Sequence, residues 1–145
     1  MKTLKIDSKI DTSNVNSMGG MFQQCTNLVY LEMSDFDTSN VTDMNSVFIS
    51  CSKINELDLS NWDTSKVTDM MQMFTNCSSL NSIIVSNKFV INNVEDSRYM
   101  FSSSPNLIGG NGTTFDSTKV DATMAHIDTF ENPGYFTAQT NLNKK

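Results

Sequence analysis

Hydrophobic and polar positions along the chain follow two alternating rhythms. In "VTDMNSVFISC", residues 41 to 51, Met44, Val47, Phe48 and Cys51 fall at i, i+3, i+4 and i+7, the apolar face of a short helix. Thr42 and Asp43 stand just ahead, where a side-chain oxygen can accept a free first-turn N–H or set negative charge against it. "INELDLS" then changes the period: Ile54, Leu57 and Leu59 point inward while Glu56 and Asp58 point outward, as in a half-buried strand. "NWDTS" follows, made of residues whose side chains close turns onto their own backbone. The predicted unit is helix, strand, turn.

That unit recurs every 26 residues: Asp11, Asp37 and Asp63 keep the step, as do Cys25, Cys51 and Cys77, then Met18, Met44 and Met70, then Phe22, Phe48 and Phe74. A fixed period of roughly 20 to 50 residues marks an array of stacked coils, in which no unit buries its apolar face alone. The fourth unit has one extra residue before Phe89, after which Val94, Met100, Phe101 and Leu107 follow Val67, Met73, Phe74 and Leu80 by 27. It loses the Asp and the Cys. In a fifth, "TFDSTKVDATMAHI", Phe115, Asp116, Val120 and Ile127 lie close to one period after Phe89, Val90, Val94 and Phe101. Residues 1–107 therefore read as the repeat array, 108–136 as a modified closing coil and 137–145 as a polar tail.

A strand that occurs once per coil can pair only with its like in the next coil. The expected fold is α/β: about four coils and a modified last one, a parallel sheet with strands about 4.8 Å apart on one face and short helices on the other. Equivalent residues should stack in rows, one of them Ile10, Phe36, Trp62, Phe89 and Phe115.

Composition narrows the function. A net charge of −6, with ten Lys and Arg scattered among sixteen acidic residues, supplies no basic face for phosphates and argues against nucleic acid. No apolar run reaches the roughly 18 to 20 residues of a membrane helix, and the start "MKTLKIDSKID" has no signal-like stretch, so no membrane insertion is expected. "TLKIDSKI" reads as a first strand with Leu4 and Ile6 inward and an uncovered edge, expected to pair with another chain or with upstream sequence, a route to self-association.

The side chains that invite chemistry have plainer readings. Three Cys cannot complete a disulfide framework, and their shared register makes them buried free thiols whose Cβ bonds run parallel. The Asp-Thr-Ser ladder could be taken for a calcium array, yet one Asp followed by Thr and Ser is the recipe for a hydrogen-bonded turn. His126, the sole His, falls in the helix row of Met21, Val47, Met73 and Met100, a structural place. The expectation is no catalysis, no metal and no cofactor. What remains is the outward strand face, Tyr30 and Glu32, Glu56 and Asp58, Ser82 and Ile84, held on a rigid sheet and acidic toward its first half. It would dock a protein partner at little ordering cost and favour a basic one. The rival is a stalk whose strand face does nothing.

The recurring pattern "MFxxCxxLxxLxLSxFDTSNVTDM", with the segment "GGNGTTFDSTKVDATMAHIDTFENPGYFT" after the last repeat, resembles the BspA-like leucine-rich repeat surface proteins of bacteria. The resemblance implies a right-handed leucine-rich-repeat solenoid, secreted or displayed on the bacterial cell surface, acting in adhesion or protein binding. The partner it implies is a protein ligand on a host or cell surface.

Overall fold

The computed structural model describes residues 2–6 and 10–140; positions 7–9 of the first predicted strand segment and 141–145 of the predicted tail lie outside them. Among the described residues five strands follow in order: β1 (Thr3–Lys5), β2 (Tyr30–Glu32), β3 (Glu56–Leu59), β4 (Ser82–Val85) and β5 (Thr137–Ala138). Every strand pairing among them is parallel, and β1–β2 and β3–β4 join equivalent positions, Leu4 to Leu31 and Leu57 to Ile83. The two-residue alternation holds, since Leu31, Leu57, Leu59, Ile83 and Val85 are buried beneath outward neighbours that stay in contact with solvent.

The core is a column of rings. Phe22, Phe48, Phe74 and Phe101 stack in sequence with centroids 5.7, 5.7 and 5.6 Å apart and planes within 9° of parallel. Offset stacking of this sort adds roughly 0.5 to 1.5 kcal/mol per pair beyond the area buried. The second aromatic row is shorter than its spacing suggests. Phe36 stacks on Trp62 at 6.4 Å, but Phe89 meets Phe136 edge-on at 4.9 Å, Phe115 packs on Tyr135, and Ile10 is exposed.

The expected helices do not form. Among the described residues the only helical element is a single 3₁₀ turn, Ala122–Met124. Met44, Val47, Phe48 and Cys51 are all buried, as the spacing predicts, but they sit on a run of turns. Alternate backbone N–H groups leave their own unit: those of Met44, Ser46, Phe48 and Ser50 donate to the carbonyls of Asp69, Met71, Met73 and Thr75 at 2.8–3.0 Å. An α-helix would need those donors for its own ladder. Ser46 and Ser50, with φ of 58° and 63°, occupy the left-handed region, and Gly20 with Gln24, Gln72 with Asn76 and Tyr99 with Ser103 repeat the pair. A right-handed helix cannot pass through such residues. The spacing reports which side chains are buried; it is silent on where the N–H groups go.

One continuous sheet is not formed either. β1 pairs with β2, and β3, β4 and β5 make a second sheet. Lys5 faces Glu32 across the first pair, and the 26-residue step sets Glu32 level with Asp58 on the far side of the break.

The far end of the array is closed. Thr137 and Ala138, read from sequence as the start of the tail, form β5 beside Ile84 and Val85. Just ahead, Tyr135 and Phe136 are fully buried against Phe101. The Tyr135 hydroxyl donates to the Lys119 carbonyl at 2.8 Å and accepts from the Asp116 N–H at 3.0 Å.

Candidate functional site

Where the sheet parts between β2 and β3, a groove of about 390 Å³ opens on the strand face. Tyr30 and Glu32 line one side and Glu56 and Asp58 the other, with Asn55, Asn61 and Gln139 completing it. Four of the six strand-face residues singled out from the sequence are thus brought together. Ser82 and Ile84 are not; half-buried, they lie on β4, where Ile84 pairs with Thr137.

The alternation that buries Leu31, Leu57 and Leu59 turns these polar neighbours outward. The Tyr30 hydroxyl donates to Glu32 Oε2 at 3.1 Å, and the Ser34 N–H donates to Oε1 at 2.9 Å. Hydrogen bonds from Ser34 first, and then from Tyr30, hold the Glu32 carboxyl below its ordinary range, with Lys5 adding to them. The same Tyr30–Glu32 bond, then the charges of Glu32, Asp58 and Glu56, push the phenol up. At neutral pH the groove therefore carries ionised Glu32 beside neutral Tyr30. Among the described residues no Lys or Arg lines it, although Lys5 faces Glu32 from β1. Asn61 pins its floor, its Nδ2 donating to the Ser34 carbonyl at 2.7 Å and to that of Phe36 at 3.1 Å.

Such a groove can accept ammonium, guanidinium or backbone N–H donors and offers an aromatic face for a cation. Sequence reasoning missed Asn61 and Gln139. Asn61 stood in view as the first turn residue of "NWDTS". Gln139 carried no signal; it arrives because its N–H donates to Val85 at 2.8 Å and extends the closing strand along the sheet.

The other candidate groups make bonds within the fold. Cys25, Cys51 and Cys77 are free thiols, and the Cys51 and Cys77 Sγ atoms donate to the Phe22 and Phe48 carbonyls at 3.1 Å each. Burial pushes both of these thiols up to about 12, so neither is a nucleophile at neutral pH. Asp11, Asp37 and Asp63 each accept the N–H two residues on at 2.9 Å. His126 is half-buried, its Nδ1 3.2 Å from the Ile127 carbonyl. Among the described residues no group of three or more His, Cys, Asp and Glu is placed to hold a metal ion, and no helix is long and apolar enough to cross a membrane.

The turn carboxylates give a pH prediction. Asp11, Asp37, Asp63, Asp116 and Asp121 are held below the usual range by the side chains and then the N–H groups of Ser13, Ser39, Ser65, Thr118 and Thr123. A carboxyl depressed on folding contributes stability that is complete above its unfolded value and is lost as pH falls through its folded value. The urea midpoint, followed through the fluorescence of the sole Trp, Trp62, should therefore be level from neutral pH down to about 5 and decline gently below about 4, since these carboxyls are largely exposed and screened by solvent. A midpoint that rises on acidification would contradict these bonds.

A family model described as "Mycoplasma protein of unknown function, DUF285" matches residues 2–112, which take in β1 to β4 and the whole run of stacked Phe rings. No curated protein matches the chain. No solved structure matches it. With 111 of its 145 residues inside that match, the chain belongs to the DUF285 family.

Proposed function

We propose that the chain is a short leucine-rich-repeat solenoid of the BspA-like kind, working outside the cell or on its surface as a protein-binding module of an adhesive protein. The parallel strands, one per 26-residue unit, and the regular ring column support the solenoid reading. The observation that carries the function is the groove: Tyr30, Glu32, Glu56 and Asp58 converge on about 390 Å³ of open space with no Lys or Arg among its described lining residues. No bond is made or broken. The rigid units hold side chains at fixed spacing and the partner presents Lys or Arg to them, the charges setting the rate and selectivity of encounter more than affinity.

The test compares the chain with the triple variant Tyr30→Ala, Glu56→Gln, Asp58→Asn in capture from extracellular-matrix and cell-wall fractions. These outward positions are not part of the core, so the unfolding free energy should change by less than about 0.5 kcal/mol per site. Capture of a basic protein should fall by roughly tenfold or more, and capture by the unaltered chain should weaken with salt. Equal capture by both chains would favour a stalk with an idle strand face.

A further inference from the structure

The geometry points to the open N-terminal end of the array as a docking site for one more half-unit, a segment with the pattern Met-x-x-Val-Phe-x-x-Cys. On the turn side every ladder bond runs one way. The N–H groups of Met18, Gly20, Phe22 and Gln24 donate to Asp43, Asn45, Val47 and Ile49, and the next two interfaces repeat this with Met44 to Asp69 and Met70 to Asp96. The equivalent carbonyls of the first unit, those of Ser17, Gly19, Met21 and Gln23, receive no backbone N–H from the described residues. β1 covers the strand of that unit, but no described segment covers its turns.

Two further observations mark the same place. A cavity of about 250 Å³ lies there, lined by Leu4, Gln24, Cys25, Thr26, Asn27 and Leu28. Met21 is 41% exposed where its counterparts Val47 and Met73 are 0%, and Cys25 is half-exposed where Cys51 and Cys77 are buried. Each buried thiol donates to the Phe carbonyl of the preceding unit, an acceptor that Cys25 lacks among the described residues. The occupant is defined by continuity with the three interfaces already formed. It must bring alternate N–H donors, a ring to stack on Phe22 and a carbonyl for the Cys25 thiol. A second copy fails on both counts: two such ends would oppose carbonyls to carbonyls, and the far end is closed, with Phe101 N–H already given to Val120.

The experiment extends the full chain with a copy of residues 41–53, "VTDMNSVFISCSK", directly ahead of Met1. That length keeps the β1–β2 register in which Leu4 faces Leu31. Two control extensions carry a scrambled order and the same order with its Phe replaced by Asp. With the ordered copy, labelling of Cys25 by a thiol reagent should slow by roughly tenfold or more and the urea midpoint should rise. Neither control should do so. Equal labelling of Cys25 in all three extended chains overturns the proposal. So does finding the unextended chain dimeric with Cys25 already protected, since the occupant would then be a second copy.

Discussion

Replacing Phe48 by alanine should remove about 4 kcal/mol of stability, more than the same change at Phe22. Phe48 is fully buried and its ring lies against three others, Phe22 at 5.7 Å, Phe74 at 5.7 Å and Trp62 at 5.8 Å. The hole cannot close easily. The backbone on one side is fixed by the Phe22 N–H to Val47, and on the other by the Phe48 N–H to Met73, at 2.9 and 3.0 Å. In a stacked array stability is close to a sum over neighbouring interfaces, so a hole at Phe48 weakens two of them. Phe22 has a ring neighbour on one side only and should cost about half as much. Urea unfolding followed through Trp62 measures both. Equal losses would contradict the nearest-neighbour account.

Asp128→Ala should cost about 3 kcal/mol and loosen the closing coil before the rest of the array. Asp128 is buried, and its carboxylate accepts four bonds: from the N–H groups of Asn111, Thr113 and Gly134 at 2.9, 3.0 and 3.1 Å, and from the Thr113 hydroxyl at 2.7 Å. Burial alone pulls this carboxyl upward, yet the donors, Thr113 foremost, outweigh it and hold it below its ordinary value. Its contribution is thus complete above about pH 4 and fades as the pH falls further. Space for the lock comes from glycine: a Cβ on Gly109 would strike the Asp128 side chain and the Gly134 carbonyl. Alanine at 128 leaves all four donors without their acceptor, while Asp128→Asn keeps the shape with one accepting oxygen and should lose less. Limited proteolysis should cut the alanine variant first within residues 108–136. An unfolding free energy within about 0.5 kcal/mol of the parent would show that the coil is held by Tyr135 and Phe136 alone.

Burial was legible in the sequence wherever side chains repeat at fixed intervals. The interiors at Met44, Phe48, Cys51, Leu57 and Leu59 and the parallel pairing of β3 with β4 follow from the 26-residue step. Backbone conformation was not, because Ser46, Gln72 and Tyr99 adopt positive φ although none of these residue types demands it, and the neighbouring unit takes the N–H groups a helix would have used. The groove was half legible. Alternation turned Tyr30, Glu32, Glu56 and Asp58 outward, but their convergence depends on the break between β2 and β3, a cross-strand effect that no single strand reveals. Residues 108–136 depart from the period, and the bonds that hold them cannot be read from it. Their lock joins Asp128 to positions 15 and 17 residues away, an offset unrelated to the repeat.

The stacking of equivalent residues along one axis underlies all of this, and contacts between ring protons in solution test it most directly. In a sample with selectively labelled Phe, nuclear Overhauser cross-peaks should link Phe22 to Phe48, Phe48 to Phe74 and Phe74 to Phe101, the pairs whose centroids lie 5.6–5.7 Å apart. None should join Phe22 to Phe74 or Phe48 to Phe101. A cross-peak that skips a unit, or the absence of those between neighbours, would contradict the stack and with it the groove and the open end.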